Sequence, residues 1–362
     1  MSVLIFGGSF DPIHNGHIDI AKRVKNFLNV EKVLFLIAKK PRWKNITTDD
    51  SMRLEMLKIA LQGIEWAKID LTEFESIDEI NYTYNTILKI RSEINDELYF
   101  LIGADQLNQL DKWYNIEKLA KLCRFVCVNR VDYPLNQDNI DKYQVILINE
   151  EISDMSSSSL RELRNLDCPK PVLDYIIEHD LYFTKILKSY MSKKRYLHSV
   201  SVANLCYQIA LENNLNPYIS YLSGLIHDIG KEVNMVKQRE YMEENYNDLV
   251  NHIPHQLYYQ FLSNYIAKEK LKIKNPEVLD AIIYHATGNK ELSDYAMIVY
   301  ASDKIEPLRG YDSSHLINKC RENYYNGFKE VLKENMLFLA SKQEAYLNPL
   351  TLECINYYLG GK

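Results

Sequence analysis

Gly7-Gly8-Ser9-Phe10-Asp11-Pro12-Ile13-His14-Asn15-Gly16-His17 follows the apolar run Val3 to Phe6 and precedes an amphipathic stretch, Ile18 to Leu28. It therefore reads as a turn from a strand into a helix. A glycine pair at such a turn lets the backbone approach a phosphate closely, with main-chain N–H groups free to donate. The helix that follows adds partial positive charge at its N-terminus. His14 and His17, three residues apart around the first turn, can point the same way and donate to an oxygen that gains charge in a phosphoryl-type transition state. No nucleophilic side chain stands in the string, so direct transfer between bound substrates is the simplest chemistry.

Working outward, short apolar runs alternate with amphipathic ones up to about Phe183. Lys32 to Ile37, Leu98 to Ile102, Phe125 to Asn129 and Val145 to Ile148 join Val3 to Phe6 as predicted strands. Met52 to Leu61, Tyr84 to Ile94 and Leu160 to Leu163 join Ile18 to Leu28 as predicted helices. Strands this apolar, alternating with helices, make a parallel sheet covered on both faces. Ligands of such sheets bind beyond the carboxyl ends of the strands, where the Gly7-Gly8 and Gly103-Ala104-Asp105 turns open.

After Phe183 the strand signal stops and helical periodicity takes over: Val200-Ala203-Leu211, Tyr218 to Leu225, Leu257 to Ile266, Val278 to Tyr284 and Phe328 to Leu339. The expected fold is thus α/β, a Rossmann-like parallel-sheet domain over 1–184 followed by an all-α domain over 185–362. The lysine-rich Thr184 to Lys194 lacks Pro and Gly and reads as a short, partly helical junction.

Composition narrows the function classes. A chain of 362 residues, 46% apolar, exceeds one comfortable core. The net charge of −6 argues against nonspecific nucleic-acid binding. No apolar run approaches the roughly 20 residues of a membrane span. Met1 to Phe6 lacks the basic start and cleavage site of a signal peptide, so a cytoplasmic protein is expected. Six dispersed cysteines, among them Cys123 and Cys127, read as packed reduced thiols. The sequence leaves room for a homo-oligomer.

The helical half has its own chemistry. Six of the nine histidines fall there, and His227-Asp228-Ile229-Gly230-Lys231 ends an apolar helix. A histidine with an adjacent aspartate at a helix end can ligate one or two metal ions, the carboxylate bridging. Candidate partners are His198, His252 or His255, His285, and Asp303. Mixed imidazole and carboxylate ligands suit Fe, Mn, Co or Zn better than an all-oxygen Mg²⁺ site. A centre of this kind activates water and polarises a phosphoryl oxygen.

The string from Gly7 to His17 resembles the His-x-Gly-His nucleotidyltransferase superfamily. Ser156-Ser157-Ser158-Ser159-Leu160-Arg161 is similar to its second signature, which grips ATP phosphates. Arg53-Leu54-Glu55-Met56-Leu57, Asn81-Tyr82-Thr83-Tyr84-Asn85-Thr86, Gly103-Ala104-Asp105 and Lys112-Trp113-Tyr114 narrow the resemblance to bacterial nicotinate-nucleotide adenylyltransferases. It implies AMP transfer from ATP to nicotinate mononucleotide, with Mg²⁺ bridging phosphates. His14 and His17 would then stabilise the transition state. Ser157, Ser158 and Arg161 would hold the leaving pyrophosphate, and Asp105 would meet the adenosine. Tyr82, Thr83 and Trp113 would frame the nicotinate ring. Gly7, Gly8, Ser9, Phe10, Gly103 and Arg130 are grouped with the ATP- and substrate-binding residues, and Lys44 and Arg42 are candidate phosphate contacts. Pro41-Arg42-Trp43-Lys44 departs from the family's Pro-Pro-His-Lys, and Asn85 stands where aspartate is common. A relative acting on phosphopantetheine is the alternative, disfavoured because such relatives usually have Thr where His14 stands.

The order of the downstream elements resembles the HD phosphohydrolase superfamily. Arg195-Tyr196-Leu197-His198-Ser199-Val200, Tyr284-His285 and Ile305-Glu306-Pro307-Leu308-Arg309 look like bacterial symmetrical bis(5′-nucleosyl)-tetraphosphatases. This implies hydrolysis of diadenosine tetraphosphate to two ADP at a di-iron or similar dinuclear transition-metal centre. The implied ligands are His198, His227, Asp228, His252, His285 and Asp303, His252 being chosen over His255 because His252-Ile253-Pro254 matches a His-x-Pro pattern. Asp228 and Lys231 are the implied catalytic groups, and Lys231, Thr287 and Arg309 the candidate phosphate contacts. A helical half that only senses nucleotides is the competing reading.

Overall fold

The computed structural model describes residues 2–39, 46, 48–76, 81–129, 134–149, 156–341 and 347–360. The chain divides into two compact units, residues 1–161 with 167–181, and residues 162–166 with 182–362.

In the first unit, six strands form one parallel sheet: β1 Ser2–Gly8, β2 Lys32–Ile37, β3 Ala67–Asp70, β4 Glu97–Gly103, β5 Arg124–Asn129 and β6 Ile146–Asn149. Their order is β3-β2-β1-β4-β5-β6. The order reverses between β1 and β4, which pair from Ser2↔Glu97 to Phe6↔Leu101. A doubly wound sheet of this order opens its ligand crevice at that reversal. β3 was not legible in the sequence: it has four residues, only Ala67 of them buried, and it pairs with β2 alone.

Helices α1 Asn15–Phe27, α2 Asp50–Leu61 and α3 Thr83–Glu93 follow β1, β2 and β3. Short helices at Ala104–Leu107, Ile116–Leu119 and Gln137–Tyr143, and the longer Lys170–Glu178, add to the expected set. The helix expected over Leu160 to Leu163 instead spans Ser157–Arg161. Ser156 Oγ accepts from the Ser159 N–H at 3.1 Å and starts it early, while Leu163 takes a positive φ of 61° beyond its end. The core centres on Ile5, Phe100, Ile102, Phe125 and Leu107.

Arg53 of α2 has no exposed surface, and it ties the strand ends together. Its guanidinium donates to Ser9 O at 2.5 Å, to Ala38 O at 2.9 Å and to Lys39 O at 3.3 Å, and pairs with Asp50 at 2.6 Å. One cation thus satisfies carbonyls of the two loops that leave β1 and β2.

The second unit has helices and, among its described residues, no strand. Its helix starts are written in the sequence: Asn216-Pro217, Asn275-Pro276 and Asn348-Pro349 each place an Asn whose side chain accepts from the first turn ahead of a proline that needs no N–H partner. Ser192 and Ser293 cap Lys193–Glu212 and Asp294–Ile305. Tyr300, Phe328, Ile209, Cys206 and Val299 pack at its centre. Among the described residues no helix is long and apolar enough to cross a membrane.

Replacing Arg53 with Met should leave those carbonyls unsatisfied and lower the unfolding free energy of the first unit by about 3 kcal/mol. Urea unfolding followed by tryptophan fluorescence measures it; an unchanged midpoint would contradict the tie.

Candidate active sites, one in each unit

At the carboxyl end of β1, the chain turns sharply around Phe10, whose φ is +45° and whose ring is buried against Phe6, Phe35 and His17. Its side chain therefore belongs to the core, not to the crevice surface expected of a substrate contact. A Cβ at Gly8 would meet that ring at 2.9 Å, so glycine is the residue that fits. His14 caps α1 and His17 lies one turn on, their rings 3.6 Å apart and 32° from parallel. His17 Nδ1 accepts the backbone N–H of His14 at 3.2 Å, which places the proton of a neutral His17 ring on Nε2. Burial pulls the His14 imidazole down to about 4, so at neutral pH it is uncharged.

The Ser156 to Arg161 segment meets this turn from 145 positions away. Ser157 Oγ donates to Pro12 O at 2.9 Å, and Arg161 donates to Asp11 O at 2.5 Å and to Ser158 Oγ at 3.0 Å. Asp105 is exposed at the β4 end, and a Cβ at Gly103 would lie 2.7 Å from its carboxylate. Tyr82 and Thr83 open α3, and the Tyr82 ring packs on Tyr114 at 4.3 Å. Trp113 is half-buried with its ring edge-on to Phe100 and Phe125, both 6.2 Å away. Arg42, Lys44 and Arg130 lie outside the described residues. Sequence reading missed Glu73, whose carboxylate accepts from Thr86 Oγ1 at 3.1 Å and whose carbonyl accepts from Asn81. Burial raises that carboxyl to about 7.

In the helical unit, His198 comes from the helix Lys193–Glu212, His227 and Asp228 from the end of Pro217–Ile226, His285 from the end of Pro276–Ile283, and Asp303 from Asp294–Ile305. Their ligand atoms form two groups, His198 with His227 and Asp303, and His227 with Asp228 and His285, each within 4.8 Å. His227 Nε2 is 3.6 Å from Asp228 Oδ2 and 3.5 Å from Asp303 Oδ1, while His285 Nε2 faces Asp228 Oδ1 at 3.4 Å. Asp228 thus turns Oδ2 to His227 and Oδ1 to His285. The approach is close because a Cβ on Gly230 would strike Tyr259 O and Ser263 N at 2.8 Å.

His227 and His285 each direct Nδ1 to the carbonyl three residues back, Gly224 O and Ile282 O, both at 2.7 Å. Their Nε2 atoms, like Asp228 Oδ1, are buried without a hydrogen-bond partner. Imidazoles oriented through Nδ1, with Nε2 lone pairs converging on carboxylates, are the donor set of a divalent transition metal, and the residues fit one. Burial pulls His285 down, whereas at His227 the neighbouring Asp228 and Asp303 outweigh burial and raise it.

Cations ring this centre. Arg195 contacts Asp228 Oδ2 at 2.5 Å, Lys231 lies 3.5 Å from Asp228 Oδ1, and Arg309 reaches Asp303 Oδ1 at 2.6 Å. Lys304, half-buried and pulled down to about 8 by desolvation, donates to His285 O at 3.0 Å. Sequence reading gave no role to Lys304, nor to Arg195 or Glu306, although the last two stand in quoted motifs. Two expectations change. His252 joins neither group, because it is exposed on the turn after the helix Asn247–Val250. Thr287 is no phosphate contact either: it is buried, with its Oγ1 on Gly288 O and on Gln260 and its carbonyl on Thr351.

Residues 5–163 match the cytidylyltransferase-like family model and residues 195–308 the HD domain model. A Mycoplasma pneumoniae protein named "Probable nicotinate-nucleotide adenylyltransferase/Ap4A hydrolase" is 32% identical over 91% of this chain and 98% of its own. The chain belongs to that family. A Listeria welshimeri protein, "Probable nicotinate-nucleotide adenylyltransferase", is 38% identical over 50% of this chain and 97% of its own. Among solved structures, a Clostridium acetobutylicum "predicted HD superfamily hydrolase involved in NAD metabolism" aligns with 25% identity and a TM-score of 0.46 over 50% of this chain and 98% of its own. The chain is an enzyme with a nucleotidyltransferase domain and an HD domain.

The buried, neutral His14 has a pH signature. Its folded-state value of about 4 lies below the ordinary 6.5, so as pH falls from 6.5 to 4 the unfolded chain binds a proton that the folded chain does not. Stability should drop by about 3 kcal/mol across that window. His14→Asn, which keeps a capping side chain, should lack this component when urea midpoints of the two proteins are compared at each pH. Parallel pH profiles would contradict the burial.

Proposed function

We propose that the protein is bifunctional: its first unit transfers AMP from ATP to nicotinate mononucleotide, giving deamido-NAD and pyrophosphate, and its second hydrolyses diadenosine tetraphosphate to two ADP. The observation that carries the first half is the meeting of the His14/His17 turn with the Ser157–Arg161 segment at the β1–β4 reversal. That arrangement brings an Nε2–H donor and a helix start from one loop together with a basic side chain from the distant Ser157–Arg161 segment. In this reading His14 and His17 face the α-phosphate as charge develops, and Arg161 with Ser157 and Ser158 holds the departing pyrophosphate. Asp105 takes the adenosine side, Tyr82, Thr83 and Trp113 the nicotinate side, and Mg²⁺ accompanies the triphosphate.

For the second half the carrying observation is the pair of His/Asp groups sharing His227. A divalent transition-metal pair, iron or an equivalent, held there by His198, His227, Asp228, His285 and Asp303, would supply an activated water and polarise the phosphoryl group. The chain's own contribution is electrostatic. Four cations, Arg195, Lys231, Lys304 and Arg309, stand around Asp228 and Asp303. With divalent ions added, such a pocket is strongly positive and suits a polyphosphate chain. Arg309 and Lys231, each partly exposed, are placed to leave their carboxylates for phosphate oxygens.

Cross-assay of two variants tests the reading. His17→Ala should lower deamido-NAD formation by about 10²–10³-fold and leave ADP release from diadenosine tetraphosphate unchanged. Asp228→Ala should do the reverse, abolishing hydrolysis and bound metal. Loss of both activities from either change, or no ADP release from the metal-loaded wild type, would overturn it.

A further inference from the structure

We infer that Glu306 is a positioning residue for the metal group, orienting His198 and setting how tightly the His198, His227 and Asp303 group holds its ion. The inference rests on the reading that these residues hold a divalent metal. The three imidazoles of the centre are supported differently. His227 and His285 stand at the ends of helices, where the last carbonyls lack intrahelical partners, and each uses one of them for Nδ1. His198 is the sixth residue of a 20-residue helix. Carbonyls there are taken by the helix ladder, so its Nδ1 needs a partner from elsewhere. Glu306 Oε1, 108 positions away and 3.0 Å distant, is that partner.

The carboxylate is built for the task. Glu306 is 1% exposed, and its second oxygen accepts the Leu308 N–H at 2.7 Å, which fixes the plane of the group. His198 Nε2 then faces Asp303 Oδ1 at 3.2 Å and Asp228 Oδ2 at 3.7 Å. An ionised carboxylate on Nδ1–H pushes more electron density to Nε2 than the neutral carbonyls behind the other two rings. His198 is also the most exposed of the three, 14% against none for His227 and His285. It is the ring least held by packing, and so the one that a hydrogen bond must hold. The competing account is that Glu306 only caps the turn Pro307–Arg309 through Leu308.

The two accounts separate on Glu306→Asp and Glu306→Gln in the full-length, metal-stripped chain, titrated with Co²⁺ against a chromophoric chelator. Aspartate keeps the charge and the turn cap but is one methylene too short for His198. Glutamine has the length but cannot accept both N–H groups. Both variants should bind Co²⁺ about 10–100-fold more weakly than wild type, with altered visible absorption of the bound ion. In a His198→Ala background, Glu306→Gln should cause no further loss. Co²⁺ affinity of both single variants within twofold of wild type, or an undiminished loss in the His198→Ala background, would overturn the inference. Wild-type protein that binds no Co²⁺ would instead overturn the metal reading beneath it.

Discussion

The helical unit is organised around a charge that has no cheap place to go. Asp228 and Asp303 are buried 3.6 and 3.5 Å from the same His227 nitrogen. A carboxylate withdrawn from water costs several kcal/mol unless it is compensated. Burial alone would raise both carboxyls; the imidazoles and cations around them outweigh it and hold both below the ordinary range. Every element that reaches the centre brings a compensating group: His198 and Arg195 from one helix, Lys231 after the His-Asp pair, His285 from a third, Lys304 and Arg309 beside Asp303. Positions 303 to 309 are the densest contributor. They supply Asp303 itself, a pin for the His285 carbonyl, the partner of His198 and a clamp on Asp303.

The first unit answers a related problem in the opposite way. Its two histidines stack nearly in contact, which two imidazolium rings would resist, and burial keeps His14 neutral. Hydrogen bonding then assigns the remaining freedom, because the His14 N–H occupies His17 Nδ1 and leaves Nε2 as the donor. An uncharged His14 suits a site whose substrates carry the charge. Arg53 makes the turn rigid from beneath, and the Arg161 segment closes it from the side. Because the two sites belong to different compact units, each can meet its electrostatic requirement without compromise to the other.

Much of this was legible in the residues. Five strands came from short apolar runs, since a sheet covered on both faces needs nothing else to declare itself. β3 escaped because a four-residue edge strand with Lys68 and Asp70 carries neither an apolar run nor a clean alternation. The His227-Asp228 pair was found from its place at a helix end and His198, His285 and Asp303 from the motifs around them, but His252 was chosen on a three-residue pattern that says nothing about exposure. Glu306 and Arg195 were overlooked for a physical reason. Their parts in the site are hydrogen bonds to residues 108 and 33 positions away, and no local pattern records a long-range partner. Thr287 shows the converse, a polar residue close to His285 whose hydrogen bonds turn inward to Gln260 and Thr351.

The central claim is that buried imidazoles and carboxylates in the helical unit are arranged for cations. Crystals of the full chain equilibrated with Mn²⁺, and anomalous diffraction measured from them, address it most directly. Anomalous density enclosed by His227, Asp228 and Asp303, flanked by His198 and His285, is the expected result. A map with no peak inside that ring, or with peaks only at the exposed His252 and His255, would contradict the account.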